Sequence, residues 1–312
     1  MAGVKPTTAA GYRPDITAAC ESTLLTLLCA FGSLKDTLRL VGGLVPRYLT
    51  PETPPDVPAH AGTSDVDVVL NLAVIADGEG YSSLADQLAA RGFERHTTSN
   101  GNRSSWQWKR KVDEHTHVLV EFLRDAGTDQ PGKPVTVDGE RVSALAVRFG
   151  GMVHDWYEER KVTGQLLDGG GISTEVIRFA DVPAFVILKS LALADRRENK
   201  DAGDLIHVLQ YAGTIDAVAE LFVQRQLSNA HPGAIDAGLA ALRSRFCDDE
   251  DGEGYQKAGS VAYAQFHVAD GDDNEDELVA KQRFASGLVQ ALLDRIEVRL
   301  AQHASGVDGT AR

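Results

Sequence analysis

Apolar positions recur every three or four residues from Ile16 to Phe31, the period of an amphipathic helix, and Gly32 stands where it would stop. Thr37 to Val41 has the pattern of a short buried strand. It breaks at Gly42-Gly43, and Leu44 to Leu49 predicts the next helix. Four prolines between Pro51 and Pro58 make Thr50 to Pro58 a loop. Asp65 to Ala73 predicts a second strand, and Tyr81 to Arg91 a helix closed by Gly92. Residues 93–98 and 103–110 predict a hairpin around the turn pair Asn100-Gly101. His117 to Leu123 is a further strand. Val135 to Val147 gives two short strands around Asp138-Gly139, His154 to Arg160 a helix, and Thr174 to Phe179 a strand after a triple-glycine turn. From Pro183 onward the period is helical: 183–195, 201–212, 214–228, 233–246, 255–268 and 275–302.

This order predicts a loose tail over residues 1–15, an α+β (α/β) lobe with a mixed sheet over 16–180, and a mostly helical lobe over 181–312. A chain of 312 residues with 43% hydrophobic content is long enough for two such cores. The formal charge of −14 argues against wrapping DNA, which needs a broad basic face, while leaving room for a local basic patch. No run of apolar residues approaches the roughly 18 that a membrane span needs. Cys20, Cys29 and Cys247 are scattered, without metal-binding spacing, which predicts reduced thiols and a cytoplasmic protein.

The charged residues inside these apolar segments change the picture. In Thr63-Ser64-Asp65-Val66-Asp67-Val68-Val69-Leu70 the two-residue strand period turns Asp65 and Asp67 to one face. Two such acids repel and are costly to desolvate, so a divalent cation is the natural compensation. Glu121, inside Val118-Leu119-Val120-Glu121-Phe122-Leu123, is the acid best placed to join them, with Asp125 in reserve. Backbone N–H groups at the Gly42-Gly43 break suit a phosphate, and Ser64 is a further phosphate contact or a turn cap. Lys189 interrupts the apolar helix Val182 to Leu193 and must either reach solvent or meet an anion. Asp201 and Asp204 have the spacing of a helix capping box.

A strand, Gly-Gly, a helix and then Asp-x-Asp resemble the DNA polymerase β-like nucleotidyltransferase superfamily, whose acids hold Mg²⁺, usually as a two-metal site, against a nucleoside triphosphate. A proline, Lys189 six residues on, and Asp201-x-x-Asp204-Leu205 narrow the resemblance to the AbiEii/AbiGii-type (MenT-like) toxins, over roughly residues 37–212. The resemblance implies that Asp65 and Asp67 bind metal, that Lys189 touches nucleotide phosphates, and that Asp204 is required for activity. It also implies an antitoxin or regulator as partner, a role in toxin–antitoxin or phage-defence pairs, and transfer of a nucleotide to the tRNA 3′ end. Two departures stand out: Val41 occupies a position where such toxins often carry lysine, and the segment between Gly43 and Asp65 is longer and proline-rich.

Basic residues interleaved with aromatics can grip single-stranded RNA. Arg103, Lys109 and Lys111, near Trp106 and Trp108, form one such stretch, and Arg196 and Arg197 another. Core packing is the competing account of the two tryptophans, since they share a strand face. The same chemistry serves transfer to a small molecule or to a protein hydroxyl. Val41 supports a third reading, a catalytically silent relative that binds nucleotide or a partner.

Overall fold

Hydrophobic burial along both faces of one mixed sheet organises the first part of the chain. The computed structural model describes residues 6–50, 53, 56–71, 84–136, 142–196, 198–268 and 274–308. Helix α1 (Pro14–Phe31) leads through a 3-10 turn into β1 (Leu38–Val41), and a second 3-10 turn (Gly42–Leu44) leads into the single-turn helix α2 (Pro46–Leu49). Then come β2 (Asp65–Leu70), α3 (Leu84–Ala90), β3 (Phe93–Thr97), β4 (Arg103–Lys111), β5 (His117–Asp125), β6 (Pro134–Thr136), β7 (Ser143–Val147), β8 (Tyr157–Gln165) and β9 (Ile172–Ala180). Strand order is β3-β4-β5-β2-β1-β9-β8, with β7 joining the far half of β5 and β6 pairing with β7. Strand β2 is parallel to β5 and antiparallel to β1, so the sheet is mixed, as the element order predicts.

Alternation along β2 and β5 separates two faces. Val66, Val68, Val120 and Phe122 are fully buried on one, where Phe122 meets Phe31 of α1 edge-on at 5.9 Å between ring centroids. Burying each of these side chains contributes about 2 kcal/mol. Asp65, Asp67 and Glu121 have the opposite parity and occupy the other face. Helix α1 and the turn after it are, by length and composition, apolar enough to cross a membrane, which corrects the reading that nothing comes near that length. Leu24, Leu25, Leu27 and Leu28 are all buried within the unit, and core packing accounts for that apolarity.

The chain divides into two compact units. One holds Tyr12–Tyr48 and Ala61–Asp181; the other holds Pro6–Gly11, Leu49–His60 and Val182–Arg312. The second unit is helical: α4 (Val182–Asp195), α5 (Asn199–Tyr211), α6 (Ile215–Ser228), α7 (Ala234–Phe246), α8 (Ala258–Phe266) and α9 (Glu275–Asp308). Residues Leu49–His60, which the sequence reading kept within the first lobe, cluster with these helices.

Four sequence expectations need correction or fall outside the described residues. His154 to Arg160 is not a helix: Gly150–His154 is a 3-10 turn, and Tyr157 opens the nine-residue strand β8. Its Glu, Arg and Lys residues favour helix in isolation, but residue-by-residue pairing with β9 overrides that preference. Glu159 and Arg178 make one such cross-strand ion pair at 2.6 Å. The ends of the predicted strand at residues 72–73 and of the helix at 81–83, and the turn Asp138-Gly139, lie outside the described residues.

Candidate functional site

Sheet register builds the acidic site. Val41 pairs with Asp67, Asp67 with Glu121, and Glu121 with Gln107, so one row crosses β1, β2, β5 and β4. In-register neighbours in a pleated sheet carry their side chains on the same face. Glu121 therefore stands beside Asp67, and Asp65 lies one pleat along β2 next to Leu119. Asp125 shares the face but sits two pleats beyond Glu121 on the side away from Asp65, which disfavours it as the third acid.

Each acid is held differently. Asp65 is 8% exposed, and the Thr63 hydroxyl donates to its Oδ1 at 2.6 Å. Thr63 is itself pinned by α1, since its N–H donates to Thr17 Oγ1 at 3.1 Å. Glu121 is half-buried, and the Gln107 amide donates to its Oε1 at 2.9 Å. Asp67 is half-buried and packs over the glycine turn, where Gly42 has φ +72° and a β-carbon would overlap the Asp67 carboxylate. Gly43 is buried in the same 3-10 turn, and Ser64 is half-buried in the bend before β2. Sequence reasoning missed Thr63 and Gln107. The signal for Thr63 was its place two residues before Asp65, at the entry to β2; nothing local marked Gln107, whose role depends on register.

As a donor set, these oxygens suit a hard divalent cation: three carboxylates of one strand face, two of them in one row, above a backbone turn. Among the described residues, however, no three or more His, Cys, Asp or Glu side chains already converge on a common point as metal ligands would.

A second cluster forms within the helical unit. Lys189 Nζ donates to Asp201 Oδ1 at 2.8 Å and to Asp204 Oδ2 at 2.7 Å, and its side chain is 8% exposed. The anion that Lys189 meets is thus a pair of carboxylates. Lys200 donates to both oxygens of Asp204 at 2.7 Å, and Arg196 Nε to Asp201 Oδ2 at 2.8 Å. Asp201 is not the cap of α5, because Glu198 takes the N-cap position and makes no side-chain cap bond. It lies in the first turn instead, buried under its two cations.

His60 Nε2 lies 2.9 Å from Asp204 Oδ1. Burial drives Asp204 toward protonation, but Lys189, Lys200 and His60 outweigh that and hold it well below the usual carboxylate range. Burial lowers the His60 pKa, overcoming the opposite pull of Asp204. A carboxylate only accepts, so Nε2 carries the proton that His60 donates to Asp204. His207, one helical turn beyond Asp204, bonds Thr50 Oγ1 through Nε2 at 3.0 Å and is lowered to about 4 by burial and by His60. His60 and His207 touch ring to ring, with centroids 4.9 Å apart. Sequence reasoning passed over both histidines, because Thr50 and His60 come to α5 from a loop far upstream.

The basic hairpin is largely occupied with itself. Trp108 is 3% exposed, and the Arg95 guanidinium lies over its ring at 5.1 Å, which makes this tryptophan part of the core. Arg110 is buried and paired with Asp168, and Lys109 reaches Glu94 at 3.4 Å. Arg103 and Lys111 are exposed, Trp106 is half-buried, and Arg196 is half exposed despite its bond to Asp201. Arg197 lies outside the described residues. The three cysteines are free thiols; Cys20 and Cys247 are buried, and Cys29 is half-buried.

No family model matches the chain, and no curated protein does. Among solved structures it is similar to JHP933 from Helicobacter pylori, at 9% identity over 96% of this chain and 100% of that one, with a TM-score of 0.40.

Proposed function

We propose that the chain is a cytoplasmic, Mg²⁺-dependent nucleotidyltransferase that moves a nucleoside monophosphate from a triphosphate to an acceptor hydroxyl. The acceptor in this reading is the tRNA 3′ end, and the enzyme is the toxin of a toxin–antitoxin or phage-defence pair. The row that sets Glu121 beside Asp67, directly over the Gly42 turn, is the observation that carries it. Asp65, Asp67 and Glu121 would hold the metal, which when bound neutralises the triphosphate and activates the hydroxyl. The acceptor oxygen attacks the α-phosphorus, pyrophosphate leaves with the bridging oxygen's electron pair, and the hydroxyl proton passes to a carboxylate or water. Gly42 and Gly43 would offer backbone N–H groups to the phosphates.

In the second unit, Lys189, Lys200 and Arg196 are matched by Asp201, Asp204 and Glu198, the last 4.0 Å from Arg196. Arg103 and Lys111 offer exposed cations to an RNA strand. The test is transfer of each labelled triphosphate to total tRNA by the wild type and by Asp67→Ala. Asp67→Ala should abolish transfer with a nearly unchanged thermal midpoint. Undiminished transfer by the variant would end the metal-site reading.

A further inference from the structure

We propose that Gln107 is a positioning residue for Glu121: its amide holds one carboxylate oxygen on the β4 side and thereby turns the other toward Asp67 on β2. The proposal rests on the reading of these acids as metal ligands. Gln107 and Glu121 are register partners, and the amide nitrogen lies 2.9 Å from Glu121 Oε1. A carboxylate only accepts, so the amide presents its NH₂ group there and keeps its carbonyl away. Asp67 flanks Glu121 on the opposite strand. Glu121 is therefore set between a donor on one side and a like charge on the other, and the donor decides which oxygen faces the acids.

The backbone fixes Gln107 in turn. Its own N–H donates to Ser104 Oγ at 3.1 Å, and Ser104 is 8% exposed. Ser104 and Gln107 thus form a small brace within β4 that ends on the Glu121 carboxylate. Groups that orient a metal's ligands in this way commonly change metal affinity 10- to 100-fold when removed.

The experiment is Mn²⁺ binding to the full chain, followed by electron paramagnetic resonance and calorimetry, in the wild type, Gln107→Leu and Glu121→Gln. Gln107→Leu keeps a branched side chain, one bond shorter, that cannot donate. It should weaken Mn²⁺ binding about tenfold and alter the Mn²⁺ spectrum, with the metal-free thermal midpoint unchanged. Glu121→Gln should weaken binding at least as much. Wild-type affinity and an unaltered spectrum in Gln107→Leu, alongside a weakened Glu121→Gln, would overturn the positioning role alone. Tighter binding in Gln107→Leu would overturn it too, since Gln107 would then be restraining Glu121 from the metal. A Glu121→Gln variant that binds like the wild type removes the residue through which Gln107 acts. Absence of Mn²⁺ binding in the wild type overturns both the positioning role and the metal reading beneath it.

Discussion

Gly42 and Asp67 approach so closely that any side chain at position 42 would occupy the space of the Asp67 carboxylate. Two independent constraints meet at this glycine. Its φ of +72° is a left-handed conformation that costs other residues roughly 1–2 kcal/mol. The aspartate above it also needs the missing β-carbon. The contact ties the turn after β1 to the acid on β2, so the backbone N–H groups and the carboxylate stand in one fixed relation.

Gly42→Ala should therefore damage the site more than the fold. The backbone strain lowers the thermal midpoint by a few degrees, while the displaced Asp67 carboxylate loses its place beside Glu121. Mn²⁺ affinity and nucleotide transfer should drop by more than the loss of stability explains. Thermal unfolding compared with Mn²⁺ titration at 25 °C separates the two effects. A variant destabilised as stated but with wild-type Mn²⁺ affinity would show that the turn does not set the aspartate.

Period and parity made the acid face legible in the sequence: Asp65 and Asp67 differ by two on a strand, and the sheet keeps them together. The partner row was not legible, since register between β2 and β5 is a long-range property set by the core on the other face. Glu121 was singled out as an acid in an apolar strand, and Gln107, which has no such contrast with its neighbours, was passed over. Lys189 drew notice for the same reason as Glu121. Its carboxylate partners were not legible as such, because Asp-x-x-Asp at a helix start satisfies the capping pattern whether or not the acids turn inward. Strand β8 was missed because its charged residues are exposed on a ribbon, where cross-strand pairs rather than burial define the strand.

Lys189 is the hub of the second unit, and its loss should be costly. Burial lowers its pKa, but the fields and hydrogen bonds of Asp201 and Asp204 reverse this and raise it above its ordinary value, so it remains charged. Lys189→Met leaves two buried carboxylates with only Arg196 and Lys200 to balance them. Breaking a buried pair from one side costs about 3–5 kcal/mol, and the remaining cations place the expected loss near the lower end, about 3 kcal/mol. Urea unfolding of Lys189→Met, Asp204→Asn and the double variant measures the coupling. The double variant should be more stable than the sum of the single losses predicts. Strict additivity would mean that Lys189 and Asp204 do not stabilise each other.

The paired histidines give the second unit a pH dependence of defined sign. His207 is lowered to about 4 from its ordinary value of 6.5, and His60 is lowered in the same direction, so the unfolded chain binds more protons than the folded one between those limits. Stability therefore falls as pH drops from about 6.5 toward 4. His207 alone should account for roughly 2 kcal/mol of loss by pH 5. Asp201 and Asp204, held below the usual carboxylate value of 3.8, lose their contribution only at more acidic pH, so the two effects occupy separate windows. The His60–Asp204 and Thr50–His207 bonds fasten His60 and Thr50 to α5. His207→Gln retains a donor for Thr50 but does not titrate. Urea unfolding at pH 7.5 and 5.0 should show a smaller pH-dependent loss in His207→Gln than in the wild type. Equal losses in the two proteins would remove His207 as the source.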